Sequence, residues 1–249
     1  MKISIITVAY NAADTIADTL RSVANQTHHN IEHIVVDGAS TDQTLTIIKN
    51  QGKHVARIIS EPDEGIYDAM NKGVSVATGN IVGILNADDI YAHSNVLKNV
   101  AKIMQEKNLD ALLGDVEFFH PENPERLIRR YRSERFSPNR IARGWMPAHP
   151  AMFLHKQIYD NFGLYKTDYQ IAADFEYVAR IFYGDQLNYY HVPEVLVHMN
   201  TGGVSTGGWR NSLVLNREVL RACRENNIPT NLFLLLSKYP AKLSEFLRK

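Results

Sequence analysis

Short apolar runs alternate with amphipathic segments along the first hundred residues. The apolar runs predict buried strands at residues 3–8, 31–36, 55–60 and 81–85. Between them, apolar positions at helical spacing predict helices at residues 12–25, 44–50 and 67–77. Strands and helices that alternate at this spacing favour a parallel sheet covered by helices on both faces. The sequence therefore predicts an α/β fold with a Rossmann-like, mostly parallel sheet.

Polar residues follow each of these predicted strands. The four strand-end loops are residues 9–11, 37–42, 61–65 and 86–89. In open α/β sheets, ligands bind outside the carboxyl ends of the strands. We therefore expect the four loops to share one ligand site.

The last of these loops carries two adjacent acids, Asp88 and Asp89, after Asn86. Neighbouring carboxylates raise each other's pKa, and a divalent cation between them and a phosphate relieves the repulsion. Mg²⁺ and Mn²⁺ prefer one or two carboxylates together with phosphate oxygens. The alternative is that one of the two acids caps the helix that is predicted to begin near Ser94. The convergence of the loops favours the metal interpretation.

Two common phosphate-binding motifs are missing from the chain. The loop at residues 9–13 contains no Gly-x-Gly-x-x-Gly pattern, which argues against an NAD or FAD site. A P-loop motif is absent as well. A phosphate at this edge would have to be neutralised by a metal and by side chains.

Composition narrows the class of protein further. The 249 residues are 45% hydrophobic and 22% charged, as in an ordinary soluble globular protein. The net charge of zero argues against a surface built for nucleic acid. Cys223 is the single cysteine, so no intramolecular disulfide forms, which fits a reducing compartment. Residues 1–8 predict a strand and not a signal peptide, and no run reaches the roughly 18 apolar residues of a membrane span. We expect a cytoplasmic location.

An ordered set of motifs connects the chain to a known family. The motifs are Thr-Val-Ala-Tyr-Asn at 7–11, Val-Val-Asp-Gly-Ala-Ser-Thr-Asp at 35–42, Ser-Glu-Pro-Asp-Glu-Gly-Ile-Tyr-Asp-Ala-Met-Asn-Lys-Gly at 60–73, Ala-Thr-Gly at 77–79 and Asn-Ala-Asp-Asp at 86–89. This set resembles family 2 of the glycosyltransferases, whose fold is called GT-A. The resemblance is strong over about the first hundred residues and looser to about residue 205. The 61–73 stretch resembles bacterial members that build exopolysaccharide, capsule or O-antigen.

The resemblance implies an activity and a division of the chain. A hexosyl or N-acetylhexosaminyl group would move from a nucleoside-diphosphate sugar to a hydroxyl of a glycan acceptor, which we expect to be lipid-linked. Inversion is expected because one displacement suffices and no enzyme nucleophile is visible. Mn²⁺ or Mg²⁺ would be the cofactor. Residues 1–100 would bind the nucleotide sugar, residues 101–208 the acceptor, and residues 209–249 would form a helical tail.

The resemblance also assigns residues to the nucleotide sugar. Tyr10 would stack on the base, and Asp37 would accept a hydrogen bond from it, although the second acid usual in the family is Gly38 here. Asp63 is a further candidate for the nucleotide or the sugar. For Asp68 and Lys72 an ordinary exposed helix pair is the alternative. The expected set of nucleotide-sugar contacts is Val8, Tyr10, Asn11, Asp37, Asp68, Lys72, Asn86 and Asp88.

The remaining assignments concern the metal, the base and the acceptor. Asp89 is expected to bind the metal, with His198 as a further ligand, although a histidine in a strand is usually structural. Asp174 stands at the start of an amphipathic helix, where relatives place the general base and where a helix N-cap is the alternative. His149 is expected to contact the acceptor, with a core histidine as the alternative.

The C-terminal region leaves its own alternatives open. Residues 209–226 and 232–248 predict helices, and the second combines leucines with basic residues. It is either a packed terminal helix or an interfacial helix on an anionic membrane leaflet.

Two activities other than glycosyl transfer also remain open. A nucleotidyltransferase would need a glycine-rich basic loop that is missing here. A non-catalytic nucleotide-sugar-binding module is suggested by Gly38 and Asn86.

Overall fold

A computed structural model describes residues 1–120, 123–184, 186–200 and 208–237. Its strands are β1 Ile3–Ala9, β2 Ile31–Asp37, β3 Val55–Ser60, β4 Ile81–Asn86, β5 Ile90–Tyr91, β6 Ala111–His120, β7 Asn123–Tyr131, β8 Met152–His155 and β9 Tyr189–Asn200. Its helices are α1 Ile16–Ala24, α2 Thr44–Gln51, α3 Ile66–Val76, α4 Val96–Lys107, α5 Lys156–Phe162, α6 Ala173–Phe182, α7 Gly208–Glu225 and α8 Leu232–Leu236. Short 3-10 turns span Ser133–Arg135, Pro138–Arg143 and His149–Ala151.

The first half of the sheet is parallel, as the sequence predicts. The strand order β3-β2-β1-β4 brings sequence-distant strands side by side. Ala9 pairs with Asp37 and Val8 pairs with Asn86, so the strands end at one edge in register. This register places the predicted ligand loops next to one another. The α/β fold class is confirmed.

The second half of the sheet introduces antiparallel pairs. β8 runs antiparallel to both β4 and β6, and the order continues through β9 to β5. β7 forms a hairpin with β6. The two-residue β5 is too short to leave a pattern in the sequence. β9 runs from Tyr189 to Asn200, and Pro193 interrupts its apolar pattern near the start.

Buried apolar clusters cover both faces of the sheet. Ile6 and Val8 of β1 pack with α3 and with the helices of the second half. Ile3 and Ile5 face the other way and pack with α4. Because successive side chains of a strand point to opposite faces, a strand buried on both faces is apolar throughout. The helices therefore lie on both faces, as predicted.

The C-terminal region packs through α7. Val219, Ala222 and Cys223 of α7 are buried in the same cluster as α6. The helix predicted to run to residue 248 begins as α8, and its continuation at residues 238–249 lies outside the described residues. Within the described ranges, no helix has both the length and the apolar character to cross a bilayer.

A pair of histidines, of which one is buried, joins the sheet to the loop before β3. The ring of His33 lies between the hydroxyl of Thr7, at 2.9 Å, and Nε2 of His54, at 3.0 Å. His33 is fully buried, and burial lowers its pKa to about 3. Folding therefore opposes protonation of this ring.

This burial predicts acid destabilisation. The unfolded chain binds the proton near the ordinary value of 6.5, so the contribution of His33 is full above that pH. Below it, the free energy of unfolding falls by up to about 1.4 kcal/mol per pH unit until about pH 3. Urea titrations of wild type and His33→Gln between pH 5 and 7 check this, because their difference isolates His33. A difference that does not change with pH would contradict the prediction.

Candidate active site

The turn after β4 is held by three other elements of the fold. The hydroxyl of Thr19 in α1 donates to the carbonyl oxygens of Ala87, at 2.9 Å, and of Asp89, at 2.8 Å. The backbone N–H of Ala87 donates to the carbonyl of Val8 at 3.2 Å. Asn200 of β9 donates from Nδ2 to the carbonyl of Asp88 at 3.1 Å. Sequence analysis missed Thr19, whose only signal is a polar residue on the apolar face of α1.

Asp89 is a buried acid with an unsatisfied oxygen. It is 1% exposed, and Nδ2 of Asn86 donates to its Oδ2 at 3.0 Å. Among the described residues, Oδ1 of Asp89 and Oδ1 of Asn86 are buried without a hydrogen-bond partner. Burial, and then the charge of Asp88, raise the pKa of Asp89 well above its ordinary value. Helix α4 begins at Val96 with Asn95 as its N-cap, so the interpretation of the acids as helix caps is wrong.

These oxygens fit a hard divalent cation. Carboxylate and amide oxygens are the donors that Mg²⁺ and Mn²⁺ prefer, and both ions accept few protein ligands when phosphate completes the shell. In the part of the chain that the structure describes, no three His, Cys, Asp or Glu side chains converge on one point. A cation at this turn would therefore depend on Asp89, Asn86 and oxygens of its substrate. The metal role of Asp89 stays a prediction.

His198 lies on the strand that borders this turn. It pairs with Ile90 across β9 and β5. Its Nε2 is 3.6 Å from Oε2 of Glu117, and its ring centroid is 4.7 Å from that of Phe119. Burial lowers the pKa of His198, which favours the neutral imidazole that binds metals. Its role as a metal ligand stays a prediction.

Tyr10 is presented at the surface by the loop after β1. Its side chain is 66% exposed, which is unusual for a large aromatic residue. Asn11 adopts a positive φ of 47°, and its backbone N–H donates to Oγ of Ser40 at 2.9 Å. Its Oδ1 accepts from the N–H of Thr41 at 2.9 Å. Asn11 therefore joins the loops after β1 and β2 and leaves the ring of Tyr10 open to a flat ligand.

Asp37 and Val8 are more deeply placed than the sequence suggests. Asp37 is fully buried and accepts hydrogen bonds from Oγ of Ser40, at 2.5 Å, and Oγ of Ser60, at 2.7 Å. The side chain of Val8 packs in the core. Both residues therefore shape the edge from beneath, and their contacts with a nucleotide stay predictions.

A second acid lies beside Asp37 although the sequence has Gly38 there. A Cβ atom at position 38 would lie only 2.3 Å from Oδ2 of Asp63. The other oxygen of Asp63 accepts from the N–H of Gly65 at 2.9 Å, which fixes the carboxylate in this place. The loop after β3 thus places a carboxylate against Gly38. Only the tertiary structure brings the two together.

Asp68 and Lys72 hold this loop in place. Nζ of Lys72 lies 3.0 Å from Oε1 of Glu61, 2.8 Å from the carbonyl of Pro62 and 3.3 Å from Oδ2 of Asp68. The same Oδ2 accepts from the N–H of Glu64 at 3.1 Å. Because these contacts are with the loop, the described role of both residues is to position it. Their direct contacts with a nucleotide sugar stay predictions.

Asp174 lies in the first turn of α6. Its N-cap position is taken by Ala172, so Asp174 is not the cap that the alternative interpretation requires. Oδ1 accepts from the N–H of Phe175 at 2.7 Å, and the hydroxyl of Tyr67 lies 3.4 Å away. The side chain stays partly exposed. Burial of the Asp174 carboxyl group among the neighbouring side chains raises its pKa to about 6.

A buried tyrosine cluster connects this acid to His149. The ring of Tyr67 stacks on that of Tyr165, whose hydroxyl lies 2.9 Å from Nε2 of His149. Asn71 exchanges two hydrogen bonds with the backbone of Tyr165, at 2.8 and 2.9 Å. Burial lowers the pKa of His149 to about 4, so its imidazole is neutral at pH 7. The described contact of His149 is with Tyr165, and its contact with an acceptor stays a prediction.

Comparison with protein families places the chain among known sequences. The model described as Glycosyl transferase family 2 matches residues 4–167. The PGL/p-HBAD biosynthesis glycosyltransferase of Mycobacterium bovis (strain BCG / Pasteur 1173P2) is 33% identical over 213 residues, which cover 81% of this chain and 78% of that protein. An uncharacterized glycosyltransferase of Mycobacterium tuberculosis is 31% identical over 183 residues, which cover 72% of this chain and 68% of that protein.

Solved structures share the fold. The crystal structure of S. aureus TarS 1-349 in complex with UDP-GlcNAc has a TM-score of 0.70 and 19% identity, and the match covers 89% of this chain and 66% of that one. The mannosyltransferase PcManGT from Pyrobaculum calidifontis, in complex with GDP-Man and Mn²⁺, has a TM-score of 0.63 and 20% identity, covering 92% and 65%. The chain therefore spans about two thirds of each of these solved chains. The family match and the relatives together show that the chain belongs to family 2 of the glycosyltransferases.

Proposed function

We propose that the protein is an inverting, metal-dependent glycosyltransferase that moves a sugar from a nucleoside-diphosphate sugar to a hydroxyl of a glycan acceptor. The observation that carries this proposal is the pair of buried, unpartnered oxygens on Asn86 and Asp89 at the strand-end edge. Burying such atoms without a partner costs free energy, which suggests that a ligand satisfies them. The donor is a hexosyl or N-acetylhexosaminyl nucleotide.

The donor occupies the edge formed by the first four strands. Tyr10 supplies a flat, exposed ring for the base. Asp37 and Asp63 place two carboxylates next to it, and Asp88 faces the ribose. The ligands of similarly folded proteins support this choice, since TarS was solved with UDP-GlcNAc and PcManGT with GDP-Man.

A divalent cation at the turn after β4 would be held by Asp89, with Oδ1 of Asn86 as a neutral ligand and His198 as a candidate further ligand. When bound, Mn²⁺ or Mg²⁺ offsets the charge that builds up on the departing nucleoside diphosphate. The Mn²⁺ in the PcManGT structure supports a metal of this kind. In the protein itself, Thr19 and Asn200 keep the turn in place for the diphosphate.

Asp174 acts as the general base. The acceptor oxygen attacks the anomeric carbon on the side opposite the diphosphate, the bond to the diphosphate oxygen breaks, and Asp174 takes the hydroxyl proton. One displacement inverts the configuration at that carbon. A pKa of about 6 leaves Asp174 mostly ionised at neutral pH and still basic enough to accept the proton.

The acceptor enters beside Tyr67. A cavity of about 330 Å³ lies between the segments 64–67 and 167–170, and the hydroxyl of Tyr67 reaches towards Asp174. Its walls combine aromatic and acidic side chains, which suit sugar rings and hydroxyls. His149 lies behind this wall, in contact with Tyr165. The acceptor is a glycan, with a lipid-diphosphate-linked chain of surface polysaccharide as the expected form.

For the regions of the chain, we propose the same division that the sequence predicts. Residues 1–100 bind the donor, residues 101–208 serve the acceptor, and residues 209–249 form a helical tail. We place the enzyme in the cytoplasm, with peripheral contact to the inner face of the membrane. The exposed side chains of Leu232, Phe233 and Leu236 in α8 support that contact.

Two alternatives are separable from this proposal. The family match gives no support to a nucleotidyltransferase. A non-catalytic binding module would bind UDP-GlcNAc or GDP-mannose in the presence of Mn²⁺ without any hydrolysis or transfer across a broad acceptor set. Turnover in that assay excludes the module.

The metal site predicts opposite effects of Asp89→Ala on stability and on binding. Removing a buried acid with a raised pKa should leave the unfolding temperature of the ligand-free protein unchanged or higher. The stabilisation by Mn²⁺ with UDP or GDP should fall, with affinity reduced about tenfold or more, or roughly 1.4 kcal/mol. Thermal unfolding and calorimetric titration measure both, with the exposed Asp18→Ala as control. Equal affinities of Asp89→Ala and wild type would contradict the metal assignment.

The crowding at Gly38 predicts a coupled effect on the nucleotide. In Gly38→Ala, the added Cβ displaces the Asp63 carboxylate, so UDP or GDP binding should weaken about as much as in Asp63→Ala, by roughly 1 kcal/mol. In the Asp63→Ala background, Gly38→Ala should weaken nucleotide binding little further, because the carboxylate that the methyl group would displace is gone. Calorimetric titration of the two single variants and the double variant completes the cycle. Additive losses would show that Asp63 is not the residue through which position 38 acts.

The base assignment predicts a loss of transfer without loss of donor binding. Asp174→Asn should lower kcat by about 10²- to 10⁴-fold. In wild type, kcat should rise with pH through an inflection near 6, because the base must be deprotonated. Transfer rates between pH 5 and 8 measure both effects. A full rate in Asp174→Asn would refute the assignment.

A further inference from the structure

Helix α7 contributes one carboxylate to the loop that precedes the base. Oε1 of Glu218 accepts a hydrogen bond from the N–H of Gln170 at 2.7 Å. Oε2 accepts from the N–H groups of Ile171 and Ala172, both at 2.9 Å. Three consecutive backbone donors thus meet one side chain that lies nearly fifty residues later in the chain.

The carboxylate of Glu218 acts as a cap for α6, although it belongs to another helix. The first N–H groups of a helix and those just before it lack partners within the helix. Ala172 is the N-cap residue of α6 and has no side chain that could accept them. Hydrogen bonds to a carboxylate are about twice as strong as those between neutral groups, so Glu218 fixes the entry to α6 firmly.

The same loop is held from the opposite side by α3. The hydroxyl of Tyr67 donates to the carbonyl of Ile171 at 2.5 Å and lies 3.4 Å from Asp174. Glu218 and Tyr67 therefore fasten one residue, Ile171, from two helices. Asp174 follows three residues later, on the first turn that this clamp defines. The loop residues 167–170 also line the cavity assigned to the acceptor.

We propose that Glu218 is a positioning residue for the general base, which fixes the loop 170–172 and places a negative charge behind Asp174. This rests on the proposed function, in which Asp174 takes the proton of the acceptor hydroxyl. Glu218 itself touches neither substrate nor reacting atoms. Helix α7 is then part of the structure that positions the base.

The titratable groups that interact with Asp174 come from three places. They are Tyr67 on α3, Tyr165 before α6 and Glu218 on α7. The backbone N–H of Phe175 on its own helix also donates to Asp174. Burial contributes most to the raised pKa of Asp174, and the charge of Glu218 acts in the same direction. Removing that charge should therefore lower the pKa of the base, and a variant that keeps the charge but changes the loop contacts reports the effect of the loop by itself.

The same helix supplies a matched control. Glu225 lies two turns further along α7. It binds the segment that precedes residue 170, through Nζ of Lys166 at 2.8 Å and the hydroxyl of Tyr169 at 2.9 Å. Among the described residues, the side chain that accepts from the backbone of 170–172 is Glu218 and not Glu225, and the charge that raises the pKa of Asp174 is likewise that of Glu218. Glu225→Gln therefore removes a comparable charge and comparable hydrogen bonds without touching the clamp.

The test compares Glu218→Gln, Glu225→Gln and wild type in the full chain. Carboxyl ¹³C NMR titration, with the Asp174 resonance assigned through Asp174→Asn, follows the base directly and needs no substrate. We expect the titration of Asp174 to move to lower pH by about half a unit in Glu218→Gln only. The lower limb of the kcat–pH profile should move with it, kcat at pH 8 should fall about tenfold, and the KM for the donor should stay unchanged.

A conservative variant separates the effect of the charge of Glu218 from the effect of its side-chain length. Glu218→Asp keeps the charge but is one methylene shorter, so it should lower kcat and leave the Asp174 titration near that of wild type. The proposal is overturned if Glu218→Gln leaves the titration where it is, or if Glu225→Gln moves it equally. Full transfer by Asp174→Asn would instead overturn the proposed function, whatever the titrations show.

Discussion

Parallel strand pairing in register is the constraint on which the site depends. Because Val8 pairs with Asn86 and Ala9 with Asp37, three strands end at the same height along one edge of the sheet. The chain leaves the sheet there in three loops, and each loop carries polar side chains into the same space. Cross-links such as Asn11 to Ser40 and Thr19 to the 87–89 turn then hold the loops against one another. A one-residue slip of β4 would turn its side chains to the other face and dismantle this edge.

Burial raises the pKa of an acid in both regions of the candidate site. Asp89 and Asp174 both have raised pKa values, and in both cases burial is the largest cause. The two acids differ in the hydrogen-bond partners that surround them. At Asp89, oxygens without partners among the described residues leave room for a cation. At Asp174, a backbone N–H and a tyrosine hydroxyl moderate the effect and leave a carboxyl that titrates near neutrality. The same physical penalty is thus consistent with the two proposed roles, metal binding for Asp89 and proton transfer for Asp174.

Support for the site comes from residues that touch no ligand. Lys72 holds the loop after β3 by contacts with Glu61 and Pro62, and that loop delivers Asp63 to the space above Gly38. Glu218 holds the loop before α6 in a similar way. In each case a charged side chain binds backbone or loop groups and so fixes a neighbouring residue of the candidate site. Asp68 and Lys72, which the sequence predicts as ligand contacts, act in this structure as supports of the loop.

The amino-acid sequence by itself determined the α/β class, the strand-end location of the site, and the motifs by which family 2 is recognised, because periodicity and local motifs are properties of neighbouring residues. It also singled out Asp89 and Asp174. Only the tertiary structure decided that Asp63 lies against Gly38, that Thr19 binds the turn after β4, and that Glu218 meets residues 170–172. It also decided that neither Asp88 nor Asp89 caps α4. These contacts join residues that are tens of positions apart, so no local pattern encodes them, and they exist only once the sheet and helices have packed.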